Sequence, residues 1–276
     1  MKKIFAGFVF PLLIISFTCL SSCNSCKDKT SPKKLKNAEK EQVKEIRGQI
    51  ETNVYPLPTS ADVIKMLSEF EVGYSIGTTN PVENTKKYFS STKRSINIGV
   101  FGADLSYATL YNQQQEVINF LDAIRSLANE LSMSKIYDED LYTKIKQNYD
   151  NRDELVKILT DAFNSTYAYL NDNDQQTLAL LVVGGAWVEG MYLTTQVSDA
   201  AYQVAGISRV LLEQKKSFET YLEITKPYLS DPKIGDFVKL LDPVNKVYEG
   251  IGTSLTEQNI KDITKVIVAV REQIVQ

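Results

Sequence analysis

The side chains that could carry out chemistry are few, because the 276-residue chain contains no histidine. This absence excludes the serine–histidine and cysteine–histidine nucleophile systems, histidine general bases and histidine-ligated zinc. Carboxylates remain as acid–base groups, and Glu189 is the best single candidate. It follows an apolar run and lies beside Trp187, where burial could raise its pKa toward acid–base use. No second carboxylate can be assigned to it, and an exposed or ion-paired glutamate is the simpler interpretation.

Tyrosines offer a second kind of chemistry, which is ligand recognition by stacking and hydrogen bonding. The chain has fifteen of them. The candidate ligand-binding residues are Tyr107, Tyr111, Trp187, Glu189 and Tyr192. Such rings could line a sugar-binding groove. Tyrosines that pack between helices with a hydrated hydroxyl group are more common, so both interpretations stay open.

Oxygen-rich stretches in this chain make poor metal sites. Residues 171–174 (Asn-Asp-Asn-Asp) have the oxygen density of a calcium loop but lack its glycine and its final glutamate. We interpret them as a helix end with an Asx turn, and residues 138–140 (Asp-Glu-Asp) as a helix start. No phosphate-binding glycine pattern occurs. The sequence predicts neither a metal nor a cofactor.

The distribution of proline and glycine indicates the elements that must position these side chains. No proline occurs between Val82 and Lys226, and no glycine between Ala103 and Val183. β-rich domains need both residues in frequent turns, whereas packed helices exclude them from their interiors. The sequence therefore predicts an all-α protein, either a multi-helix antiparallel bundle or a short helical-repeat array, with about nine helices.

Apolar periodicity locates several of these helices. Residues 114–131 carry apolar side chains at three- and four-residue spacing, and a further helix is expected over 60–73. Residues 178–188 are apolar on every face, which predicts a central, fully buried helix. This run is too short to span a bilayer, which needs about 20 residues.

Capping patterns predict where other helices begin. Asn151 with Glu154, and Ser254 with Glu257, have the spacing of a capping box. Thr79 or Asn80, followed by Pro81, marks a further helix start. The helix after Asn151 is expected to bury one face, made of Leu155, Leu159, Ala162, Phe163, Thr166 and Leu170.

Two stretches resemble each other at an offset of 83 residues, namely 100–113 and 183–196. Gly102–Ala103 in the first matches Gly185–Ala186 in the second, and small residues of this kind let two helix backbones approach closely. An internal duplication into two helical units is one interpretation. Chance matching of apolar positions between any two helices is the other.

The first residues determine the compartment. Met1-Lys2-Lys3 is a basic start, and the apolar run over 4–20 completes a signal peptide. Leu20-Ser21-Ser22-Cys23 resembles the lipobox of bacterial lipoproteins. The resemblance implies removal of residues 1–22 and attachment of lipid to Cys23. Residues 23–54 are then a lipidated tether, and residues 55–276 a single helical domain.

Charge separates the tether from the domain. Residues 27–47 carry eight basic and four acidic side chains, and the rest of the mature chain is acidic. The tether could lie on anionic headgroups, although a solvated linker is the simpler interpretation. Asn24 and the lack of an acidic cluster after Cys23 favour the outer membrane, facing the periplasm, with the cell surface as the alternative. Nucleic acid is an improbable partner of an exported, acidic domain.

These observations favour a non-enzymatic, lipid-anchored protein that binds a partner protein or ligand. Two alternatives remain, which are a glycan-binding component and a carboxylate-dependent hydrolase. The hydrolase would need two acidic side chains close together in a cleft.

Overall fold

Helices make up the regular secondary structure of the described part of the chain. The structure, a computed structural model, describes residues 73–199 and 205–276. These two ranges contain no strand, which confirms the all-α prediction. The predicted signal peptide, Cys23, the basic tether and the helix expected over 60–73 lie outside the described residues.

Within those ranges the chain forms nine α-helices and two short 3-10 helices. The α-helices are α1 Ser91–Leu110, α2 Gln114–Asn129, α3 Glu139–Gln147, α4 Arg152–Asp172, α5 Gln176–Asp199, α6 Ala205–Thr225, α7 Pro232–Leu240, α8 Asp242–Glu249 and α9 Glu257–Val275. The 3-10 helices are Val82–Lys87 and Lys226–Tyr228. The start predicted near Pro81 is thus a 3-10 turn rather than a long helix.

Helix α5 is the centre of the domain, as the apolar run predicted. It packs most extensively against α1, and also contacts α4, α6, α7 and α9. Its stretch Gln176–Gln196 is the one segment of the described residues that is long and apolar enough to cross a membrane, but 83% of the 18 residues that meet this test are buried inside the fold. Its apolar side chains are therefore used in packing against other helices.

Helices α1 and α5 approach closely because each offers a glycine to the backbone of the other. Gly99 of α1 faces the backbone of α5 at Val182 and Ala186. Gly185 of α5 faces the backbone carbonyl of Ile96 on α1. A Cβ atom at either glycine would overlap these backbone atoms, so the crossing requires glycine on both sides.

The small-residue prediction is therefore confirmed for Gly185 and wrong for Gly102. A Cβ atom at Gly102 would meet only the ring of Phe163, at 3.8 Å, which is ordinary van der Waals contact. Gly99, three residues earlier in α1, is the glycine that allows the close approach, because it lies on the face of α1 that meets the backbone of α5. The duplication stays a prediction, since its glycine match pairs residues with different neighbours.

Two of the predicted helix starts are confirmed. Asp138 caps α3, with its Oδ1 atom accepting hydrogen bonds from the backbone N–H groups of Asp140 and Leu141, both at 3.1 Å. Asn151 caps α4 by accepting from the N–H of Glu154 at 3.2 Å. The predicted face of α4 is buried at all six positions, which are Leu155, Leu159, Ala162, Phe163, Thr166 and Leu170.

The start predicted at Ser254 is wrong by two residues. Thr256 is the N-cap of α9, and its Oγ1 atom accepts from the N–H of Asn259 at 3.1 Å. The Asn259 side chain in turn accepts from the N–H of Thr256 at 3.0 Å, which completes a capping box. The Ser254–Glu257 pair has the same spacing, and this pattern places the start two residues too early.

Candidate functional site

Glu189 is fully buried in α5 and forms an ion pair with Arg271 of α9. The guanidinium donates twice, from Nε to Oε2 at 3.0 Å and from Nη2 to Oε1 at 3.1 Å. The arginine side chain is only 12% exposed and the glutamate side chain 0%. This bidentate geometry fixes both side chains and is the strong form of a carboxylate–arginine contact. Of the predicted interpretations, the ion-paired glutamate is the one observed, inside the core rather than at the surface.

A second carboxylate lies beside the first. Asp104 of α1 is fully buried and within hydrogen-bonding reach of Glu189. Its Oδ2 atom accepts from the backbone N–H of Asn80 at 3.1 Å. Its Oδ1 atom is buried and finds no hydrogen-bond donor in the part of the chain that the structure describes. Two carboxyl groups therefore face one guanidinium, and we call Asp104, Glu189 and Arg271 the charged cluster.

Burial perturbs the acid–base equilibria of this cluster. Burial, together with the neighbouring Glu189, raises the pKa of Asp104 well above its ordinary value. Burial also raises the pKa of Glu189, although the Arg271 guanidinium opposes that effect. For Arg271 burial acts to lower the pKa, but the two carboxyl groups outweigh it and the pKa is raised. The arginine therefore stays charged, and burial disfavours the charged form of both carboxyl groups.

Buried amide and phenol groups tie the end of α9 to this cluster. The Asn97 side chain donates to the carbonyl of Ile274 at 2.9 Å, and the Tyr88 hydroxyl donates to the carbonyl of Val275 at 3.0 Å. Asn80 donates from its side chain to the Tyr88 hydroxyl at 3.1 Å. Because these carbonyls lie at the open end of the helix, the bonds satisfy them and fix the position of Arg271 one turn earlier.

Residues 73–80 run over the charged cluster, and we call them the covering segment. Arg271 Nη2 donates to the Thr78 carbonyl at 3.4 Å, and the Ser75 N–H donates to the Tyr107 hydroxyl at 3.1 Å. Between these two anchors Ile76 is 92% exposed. The covering segment is thus anchored on both sides of Ile76, an exposed apolar residue.

Aromatic rings line the edges of the site in two groups. The Arg271 guanidinium lies over the half-buried ring of Tyr192, 4.4 Å from its centroid. Tyr74, Tyr107 and Tyr111 form a separate tyrosine cluster, with the Tyr107 ring centroid 5.0 Å from each of the other two. Tyr107 is buried, whereas Tyr74 and Tyr111 are partly exposed.

Trp187 lies apart from both groups. It is 5% exposed, its ring stacks on Phe218 of α6 at 4.7 Å, and its Nε1–H donates to Gln214 at 3.1 Å. Helical geometry places a residue two positions from Glu189 on roughly the opposite face of α5. The five predicted residues therefore occupy three places, with Glu189 and Tyr192 at Arg271, Tyr107 and Tyr111 in the tyrosine cluster, and Trp187 against α6.

The sequence interpretation missed Asp104, Arg271 and Asn80. Asp104 did leave a signal, because it follows Asn97 at a seven-residue spacing inside the mostly apolar stretch 96–108, and residues at this spacing share one face of a helix. Arg271 lies between Ile267 and Ile274 on the predicted apolar face of α9.

The described residues hold no group of three or more side chains arranged to bind a metal ion. Residues 171–174 end α4 as predicted, and Asp174 adopts a left-handed backbone with φ of 58° after the last turn. In the charged cluster, the place that a cation would take beside the two carboxyl groups is occupied by Arg271.

Comparisons with models of protein families, with curated proteins and with solved structures find no match to this chain. Function is therefore argued from the site itself.

Proposed function

We propose that the protein is a lipoprotein anchored through Cys23, at the outer membrane and facing the periplasm, whose helical domain is a non-enzymatic binding module for a partner protein. The observation that carries this proposal is the exposed Ile76, held between two anchors on the covering segment beside partly exposed aromatic rings. Rigid apolar and aromatic side chains of this kind are what protein interfaces use as anchors.

The charged cluster supports a binding role because its buried side chains hold the covering segment in place. Asp104 holds the covering segment at Asn80, and Arg271 holds it at Thr78. Glu189 in turn fixes Arg271 over the ring of Tyr192. The cluster thus fixes the exposed residues above it in place, and a surface ordered before binding loses less conformational entropy when a partner docks.

A catalytic role receives less support from the same geometry. The side chains of Asp104 and Glu189 are fully buried beneath the covering segment, and both oxygens of Glu189 accept from Arg271. A general acid or base must reach the proton that it transfers, directly or through one water. The carboxylate-dependent hydrolase is therefore the weaker alternative.

Binding through the covering segment predicts that a photo-crosslinking side chain at Ile76 captures a specific partner in intact cells. The matched control is the same side chain at Lys239, which is exposed on α7. We expect an adduct from position 76 that is absent from position 239 and that weakens when Tyr192 is changed to alanine. The same adducts from both positions, or none from position 76, would contradict the proposal.

The anchor predicts a separate result. Metabolic labelling with a fatty acid is expected to mark the full-length protein, and Cys23→Ala is expected to abolish the label because it removes the thiol that carries the lipid. Cys26→Ala is the control, because it removes a neighbouring thiol but leaves the lipobox intact. A Cys23→Ala protein labelled as strongly as the wild type would overturn the lipoprotein assignment.

A glycan is the second candidate ligand, and the tyrosine cluster favours it. The partly exposed ring of Tyr74, on the covering segment, contacts the partly exposed ring of Tyr111, and both could stack on a sugar. Titration of oligosaccharides against tyrosine fluorescence tests this candidate. Trp187 is a poor reporter for it, because its ring is buried against α6.

A further inference from the structure

We propose that the Asp104–Glu189 pair binds one proton in the native protein at neutral pH. Asp104 carries this proton and Glu189 is ionised, so the charged cluster is neutral overall. This inference concerns the internal state of the cluster and stands independently of what the surface above it binds.

Hydrogen-bond geometry favours a proton on Asp104. As a carboxylate, Asp104 leaves its buried Oδ1 atom without a donor among the described residues, and a buried polar atom left unsatisfied is destabilising. A proton turns Asp104 into a donor, and the Glu189 carboxylate within reach is an acceptor with lone pairs still available. Glu189 is the less suitable carrier, because both of its oxygens already accept hydrogen bonds from Arg271.

Charge balance in the core also favours a bound proton at this pair. Among the described residues that pack around the pair, Arg271 is the one cation, so two ionised carboxylates would leave a net negative charge in the core. The other titratable groups facing the pair are the phenols of Tyr88, Tyr192 and Tyr74. Burial raises the pKa of Tyr88 and of Tyr74 to about 12, and also raises that of Tyr192, so none ionises at neutral pH. A proton on one of the two carboxyl groups balances the charge, and the hydrogen bonds from Arg271 to Glu189 leave Asp104 as its carrier.

The sign of the pH dependence follows from linkage. Burial raises the pKa of Asp104, so the folded state binds this proton more tightly than the unfolded state. Its stabilising contribution is complete below the ordinary aspartate pKa of about 3.9 and is lost progressively as the pH rises from there through the folded-state pKa.

Asp104→Asn tests the proposal, because an amide mimics the protonated acid and cannot ionise. At pH 4 the variant and the wild type are expected to unfold at similar denaturant concentrations. As the pH rises, the ratio of their unfolding equilibrium constants is expected to change about tenfold per pH unit in favour of the variant, up to the folded-state pKa. The exposed Asp150→Asn is the control and should follow the wild type at every pH.

Infrared spectroscopy of the full-length wild-type protein gives a second readout that needs no stable variant. At neutral pH we expect the carbonyl stretch of a protonated carboxylic acid, present in Asp150→Asn and absent from Asp104→Asn. The proposal is overturned if the wild type lacks this band at neutral pH, or if the unfolding curves of Asp104→Asn and the wild type stay parallel across the pH range.

Discussion

Changing Gly185 or Gly99 to alanine is expected to lower the free energy of unfolding by more than about 3 kcal/mol, the upper range for overpacking in a core. The added Cβ atom would overlap the carbonyl of Ile96 in the first case and the backbone at Val182 and Ala186 in the second. Backbone atoms inside a helix cannot rotate away as a side chain does. Helices α1 and α5 must therefore separate, which disturbs the most extensive helix contact of the domain.

Gly102→Ala is the matched control, since it adds the same methyl group to the same helix as Gly99→Ala. Its Cβ atom would make only van der Waals contact with Phe163, so the gain in helix propensity should stabilise the protein by about 0.5–1 kcal/mol. Denaturant unfolding measures all three variants. If Gly99→Ala and Gly185→Ala were as stable as the wild type, the close crossing of α1 and α5 would be wrong.

Arg271→Met is expected to cost about 3–5 kcal/mol at neutral pH, the range for removing one partner of a buried ion pair. The change leaves Glu189 ionised in the core beside Asp104, with no cation facing either of them among the described residues. It also removes the donor that holds the covering segment at Thr78. Chemical denaturation at neutral and acidic pH measures the effect, which should shrink at acidic pH as Glu189 takes up a proton.

One further variant separates charge from geometry at Arg271, and a second, at Lys261, is the exposed control. Arg271→Lys keeps the charge but loses the planar, two-pronged contact with Glu189, so its stability should lie between those of the wild type and Arg271→Met. Lys261→Met breaks the exposed Lys261–Glu257 pair on the same helix and should leave stability nearly unchanged. Equal losses for Arg271→Met and Lys261→Met would contradict the buried placement of Arg271.

Much of the fold could be predicted because it depends on local patterns. The buried face of α4, its Asn151 cap and the apolar core helix α5 follow from spacing and composition alone. The start of α9 was misplaced because two overlapping capping patterns compete there, and only the completed hydrogen bonds at Thr256 distinguish them.

The site could be predicted only in part because its residues are distant in sequence. Glu189 was identified from its apolar surroundings, but its partner Arg271 is 82 residues away. Nothing local to Glu189 indicates that α1 and α9 bring Asp104 and Arg271 to it. The wrong prediction for Gly102 has the same origin. A sequence shows that a helix has small residues, but it does not show which face of that helix meets another helix.

The most direct test of the central claim, that Glu189 and Arg271 form a buried pair organising the site, is a double-mutant cycle of Glu189→Gln and Arg271→Met. Unfolding free energies at neutral pH are measured for the wild type, both single variants and the double variant. The account predicts a coupling energy of about 2–3 kcal/mol, with the double variant more stable than Arg271→Met because no charge is left unpaired at Glu189. Additivity within about 0.5 kcal/mol would contradict it.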